Sequence, residues 1–209
     1  MTFEQLNTLP VWQQMPTITL DEMSSIKLMN RVDTKYVMSL DACMELLRRS
    51  VNDYSVQIIG DVRACRYSTL YYDTEDLEMY VVHHNQKLTR QKVRTRTYVE
   101  SGVTFIEVKN KTNRGRTKKK RIKIPQENFY TVTSHPEANA FLKERANYDV
   151  ERLSPALTTE FERITLVNHA HTERLTIDLN LRFTNKRESG SQPTGIKDLV
   201  IVELKQDGL

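Results

Sequence analysis

The stretch Phe105-Ile106-Glu107-Val108-Lys109 decides the fold class. Successive side chains of an extended chain point to opposite sides, so Ile106 and Val108 share one face while Glu107 and Lys109 share the other. The same split recurs from Val200 to Lys205, where Glu203 and Lys205 oppose Val202 and Leu204, and from Arg174 to Leu179, where Arg174, Thr176 and Asp178 oppose Leu175, Ile177 and Leu179. Arg94 and Arg96 share a face, as do Lys119, Arg121 and Lys123, and Arg163 stands with Phe161 and Thr165. A sheet with one solvated face is the ordinary source of such alternation. Two features argue for more. Acid-x-base pairs flanked by apolar residues occur in two separated strands, and the charged faces are rich in arginine. Gathered on one surface, Arg94, Arg96, Lys109, Lys119, Arg121, Arg163 and Arg174 repel one another unless an anion neutralises them. If the sheet closes into a barrel, that surface becomes a polar lumen suited to a chain of phosphates, with carboxylates left to hold a divalent metal.

Working outward, the alternation predicts eight strands: 54–59, 64–72, 90–99, 104–111, 117–124, 157–167, 174–179 and 199–205. Short turns make them mostly antiparallel, with Glu100-Ser101-Gly102 and Asn113-Arg114-Gly115 as hairpin connections. Ser39 is placed to cap a helix through Leu46 and Arg49; further helices are expected near Asp21, over 75–84 and over 136–146. The expected fold class is therefore α+β, an eight-stranded antiparallel β-barrel tunnel with flanking helices. Residues 1–27, with Pro10, Trp12 and Pro16, read as a lead-in that packs on the domain surface, and 28–209 as the tunnel domain. The segment 189–195, SGSQPTG, reads as a loop.

Composition narrows the function classes. The 209 residues carry 31 Lys and Arg against 27 Asp and Glu, a formal net charge of +4, which suits an anionic partner without naming one. Cys43 and Cys65 lack metal-binding or disulfide-framework spacing and read as reduced, buried thiols. No run approaches the roughly 18 apolar residues of a membrane helix, and the N-terminus lacks a secretion signal, so a cytoplasmic protein is expected. His83-His84 and His169-x-His171 read as surface histidines rather than metal pairs. Lys118 to Arg121 alternates into Ile122 and Ile124, so it belongs to a strand and no nucleic-acid partner is expected. Tyr71, Tyr72 and Asp73 read as strand-end packing.

Seven ordered blocks carry a family resemblance: NRVDTKYVMS (30–39), YYDTEDLEMY (71–80), KVRTRTY (92–98), FIEVKNKTNRGRTKKKRI (105–122), FERITL (161–166), RLTIDLNLRF (174–183) and IVELK (201–205). Together they resemble the VTC (vacuolar transporter chaperone) polyphosphate polymerase domain, a branch of the triphosphate tunnel metalloenzyme, or CYTH-like, superfamily. The resemblance implies an enzyme of the ATP-polyphosphate phosphotransferase type, passing the γ-phosphoryl group of ATP to a growing polyphosphate chain. By position, Lys35, Arg94, Arg96, Lys109, Arg163 and Arg174 are its expected catalytic cations, with Arg31, Lys119, Arg121 and Lys205 as further phosphate ligands. Glu203 matches the metal-binding carboxylate and Glu107 is the expected second acidic group, for Mn²⁺ or Mg²⁺. The implied partners are ATP, triphosphate and polyphosphate, with a membrane-protein partner left open. The family also continues past the ELK strand into a helix bearing a Ser-Lys motif, which these 209 residues do not include.

Phosphoryl transfer asks a protein for alignment and charge neutralisation rather than a covalent nucleophile. Arginine forks match phosphate oxygens, whereas lysines act as point charges along which a chain can move. Two other readings stay open. One replaces the acceptor phosphate with water, giving an inorganic triphosphatase or polyphosphatase; the acid-x-base pairs weigh against it, since hydrolases of the superfamily tend to carry acid-x-acid pairs. The other is a non-catalytic polyphosphate or nucleotide sensor.

Overall fold

The computed structural model describes residues 1–24, 26 and 31–207, and of Ser24, Arg31 and Asp207 the backbone only. The strands are β1 (Thr17–Thr19), β2 (Arg31–Met38), β3 (Tyr54–Ile58), β4 (Ala64–Asp73), β5 (Arg90–Tyr98), β6 (Val103–Lys111), β7 (Thr117–Ile124), β8 (Ser154–Asn168), β9 (Glu173–Asn185), β10 (Thr194–Gly195) and β11 (Val200–Asp207). The helices are α1 (Phe3–Asn7), α2 (Leu20–Ser24), α3 (Leu40–Arg49), α4 (Glu78–His84) and α5 (Pro136–Arg145). Hydrogen-bonded neighbours follow one path, β2-β11-β9-β8-β4-β5-β6-β7, with β1, β3 and β10 as side branches. The expected eight-stranded sheet is thus present as a path with β2 at one end and β7 at the other. Every pair on it with a described register is antiparallel.

The chain divides into two units, and β4 and β8 contribute residues to both. The first comprises Met1–Arg66, Phe161–Arg182 and Gly195–Leu209. Its core forms where the apolar faces of β9 (Leu175, Ile177, Leu179) and β11 (Val200, Val202) meet Ile164 and Leu166 of β8 and Cys43 and Leu47 of α3. The α3 helix starts where the sequence places it, because the Ser39 hydroxyl accepts the Ala42 amide at 3.2 Å. The lead-in is part of this core and not a surface layer: Leu6, Trp12 and Met15 are buried in it, and the indole N–H of Trp12 donates to the Leu6 carbonyl at 2.7 Å. Cys43 and Cys65 are buried, and burial pushes the Cys43 pKa up to about 11.

The second unit comprises Tyr67–Glu160 and Phe183–Thr194. Val93, Ile106, Val108 and Ile124 turn their side of β5, β6 and β7 toward Leu70, Tyr72, Phe129 and Leu142 of α5. Gly102 ends the β5–β6 connection at φ +63°, a conformation glycine adopts without steric cost. The α4 helix starts at Glu78, three residues later than the expected 75–84, because Leu77 sits at φ +57° and Asp73 organises the turn. The buried Asp73 carboxylate accepts the amides of Thr74, Met79 and Tyr80 at 2.8, 2.9 and 2.9 Å.

Three departures from the sequence reading have physical causes. The β2 strand was absent from the predicted set: it is an edge strand with Val32, Tyr36 and Val37 exposed, so its hydrophobic periodicity is weak. Strand 54–58 exists but lies off the main path, pairing with β1 in parallel and with β8. β9 runs past the expected Leu179, through Asn180 at φ +51°, and continues the alternation with Leu181 and Phe183 to Asn185, and Thr194–Gly195 of the expected loop pairs with it.

Candidate functional site

In the second unit, backbone register assembles a cluster of cations around one carboxylate. Tyr71, Arg94, Glu107 and Arg121 are opposite one another across β4, β5, β6 and β7. Residues in register share a face, so Lys92, Lys109 and Lys119 form the adjacent row on one side and Thr69, Arg96, Phe105 and Lys123 on the other. Glu107 is fully buried. Its Oε2 accepts Nε and Nη2 of Arg94 at 2.8 and 2.7 Å, and its Oε1 lies 3.2 Å from Lys119 Nζ and 3.8 Å from Arg121 Nη1. Burial alone raises the Glu107 pKa, but the charges of Arg94 and Lys119 outweigh it and hold the carboxyl below its ordinary value. Arg96 donates through Nε to Thr69 Oγ1 at 2.9 Å, and the Arg121 guanidinium lies 4.2 Å over the Phe105 ring. Lys109 is exposed.

In the first unit a second cluster forms on the charged side of β2, β11, β9 and β8. Glu203 is in register with Lys35 of β2 and Thr176 of β9; Lys205 is in register with Asp33 and Arg174. One Glu203 oxygen pairs with Lys35 and the other with Lys205. Burial opposes ionisation of Glu203, yet the hydrogen bonds from Lys205 and Lys35 hold its pKa down at about 2. Its side chain keeps 18% of its surface exposed. Burial lowers the Lys205 pKa, an effect the hydrogen bond to Glu203 partly offsets. Arg163 of β8 forks onto Asp178 of β9, with Nε–Oδ1 at 2.5 Å and Nη2–Oδ2 at 2.7 Å.

Of the residues singled out in the sequence, Arg94, Arg96, Glu107, Lys109, Lys119 and Arg121 thus share one face of the second unit, and Lys35, Arg163, Arg174, Glu203 and Lys205 belong to the first. The Arg31 side chain lies outside the described residues. One sequence expectation changes: the arginines are not merely repelling one another, since Arg94 and Arg163 are paired with Glu107 and Asp178. Two members escaped the sequence reading. Asp178 was visible on the charged side of its strand but had no assigned partner, and Tyr71, read as packing, accepts a hydrogen bond from Arg94. Among the described residues, no three or more His, Cys, Asp or Glu side chains gather to hold a metal ion.

Residues 30–208 match the family model of the VTC domain. Solved structures with a similar fold include a proposed adenylate cyclase of Bacillus halodurans, with TM-score 0.55 and 11% identity over 86% of this chain and 83% of that one. A proposed adenylate cyclase of Vibrio parahaemolyticus gives TM-score 0.50 and 13% identity, covering 87% and 78% of the two chains. A proposed adenylyl cyclase of Hippeastrum with a dominant triphosphatase activity gives the same TM-score and identity over 86% and 80%. No curated protein sequence matches the chain.

Proposed function

The chain belongs to the VTC domain family and has the fold of the triphosphate tunnel proteins, and from that premise we propose that it is a polyphosphate polymerase, transferring the γ-phosphoryl group of ATP to the end of a polyphosphate chain. One observation carries this reading: in each cluster one carboxylate is shared among several cations. Glu107 serves Arg94, Lys119 and Arg121, and Glu203 serves Lys35 and Lys205. Each group therefore retains positive charge that a polyanion can neutralise.

The proposed mechanism follows from those side chains. Arg94 and Arg96, oriented by Glu107 and Thr69, present guanidinium forks of fixed geometry to phosphate oxygens and align the chain. Lys35, Lys109, Lys119 and Lys205, with Arg31 and Arg121, supply charge without demanding one orientation, which suits a polymer that advances between transfers. Arg163 and Arg174 neutralise the charge that spreads over the transferring group. Of the two carboxylates Glu203 fits a divalent metal better, because it is ionised and partly exposed; a metal there would take the place of Lys35 or Lys205 on one oxygen, and Mg²⁺ commonly binds one or two carboxylates and completes its shell with substrate phosphates and water. Bound there, Mn²⁺ or Mg²⁺ would supply Lewis acidity to the phosphoryl oxygens. Glu107 fits a metal poorly, because it is fully buried. Its surroundings favour the role of an anchor for Arg94.

The triphosphatase reading keeps the same clusters and changes only the acceptor. Against it, the position two residues after Glu203 is Lys205 and not a second acid, so this strand offers one carboxylate where an acid-x-acid pair would offer two. Calorimetric titration tests the shared premise. Tripolyphosphate should bind far more tightly than AMP, with an affinity that falls steeply as salt rises; equal affinity for the two would refute it.

A further inference from the structure

We propose that Tyr71 is a phosphate-contacting residue, its phenol oxygen accepting a hydrogen bond from Arg94 while its own O–H donates to an oxygen of the bound triphosphate. The assignment rests on the function proposed above and names a ligand that the sequence reading gave to packing. Tyr71 of β4 is directly opposite Arg94 of β5, and Arg94 Nη1 donates to Tyr71 Oη at 3.2 Å. A guanidinium carries donors only, so this bond uses the phenol as acceptor and leaves its proton to be given elsewhere. Among the described residues no acceptor takes that proton. Half-buried and beside Arg94, with Arg96 and Lys92 two residues to either side of that arginine and Glu107 on its far side, the hydroxyl is a donor placed where cations gather an anion.

The acid-base behaviour supports the geometry. Burial raises the Tyr71 pKa, but the charges of Arg94, Arg96 and Lys92 outweigh it and bring the phenol below its ordinary value of 10. Tyr54, Tyr72 and Tyr148 are all pushed upward, mainly by burial, so Tyr71 titrates before them. An O–H that donates to phosphate is held on its oxygen by that bond, and the bound polyanion opposes formation of the tyrosinate. The phenol should therefore titrate later when tripolyphosphate is present.

The test combines tyrosinate absorbance with calorimetry on the full chain. The difference between the wild-type and Tyr71→Phe absorbance titrations should isolate a step centred below pH 10 that moves upward when tripolyphosphate is saturating. That variant should bind tripolyphosphate about tenfold more weakly, the loss expected of one hydrogen bond to a charged group. Should Tyr71→Phe fold poorly, NMR of the ring-labelled wild-type protein follows the Tyr71 phenol by itself and reads the same shift. An early step that stays in place on adding tripolyphosphate, or a folded Tyr71→Phe protein binding within twofold of wild type, overturns the assignment. Wild-type protein that binds no tripolyphosphate overturns the proposed function along with it.

Discussion

Arg94 and Glu107 meet through two hydrogen bonds on a carboxylate removed from water, so deleting the arginine strands a buried charge. Arg94→Ala should cost about 3 kcal/mol of stability in urea unfolding, whereas Lys119→Ala, whose side chain is 41% exposed, should cost less than about 1 kcal/mol. Repulsion among the arginines, which the sequence suggested, would give Arg94→Ala the opposite sign. Glu203 makes a pH prediction. Its folded pKa of about 2 lies below the ordinary 4.5, so its contribution is fully present above pH 4.5 and is lost as pH falls through about 2. Unfolding free energy should drop across that window, and Glu203→Gln should remove part of the drop. At this scale the sequence was informative about faces and silent about partners. Alternation placed Glu107, Arg94 and Asp178 on charged sides, but which acid meets which cation depends on strand register, and that is a long-range property.

The elements were most legible where a local rule fixes them. Ser39 illustrates this: a hydroxyl followed by helix-forming residues caps α3, and Ser39→Ala should cost about 1 kcal/mol. Asp73 shows the opposite case. Its three backbone partners lie up to seven residues away and define a turn with a left-handed Leu77 that no periodicity encodes. Asp73→Ala should cost about 3 kcal/mol and speed hydrogen exchange at the Met79 and Tyr80 amides, because buried donors lose their acceptor. If those amides stay protected, Asp73 does not hold α4. The β2 strand was missed for a related reason: an edge strand with one hydrogen-bonded neighbour is under weak pressure to alternate.

For the molecule as a whole, the sheet class followed from repeated alternation, and the family from seven short blocks in order, both of which survive substitution between them. The role of the lead-in did not. Leu6, Trp12 and Met15 are spaced without strand or helix period, yet they complete the core of the first unit, so Trp12→Ala should cost about 3–5 kcal/mol. The central claim concerns what the cation clusters do with ATP. Incubating the full chain with ATP and Mn²⁺, resolving the products on a gel stained for polyphosphate and assaying free phosphate alongside, tests it most directly. Polymerase function predicts a ladder of lengthening polyphosphate that depends on the metal and is lost in Glu203→Gln; free phosphate without polymer would contradict it.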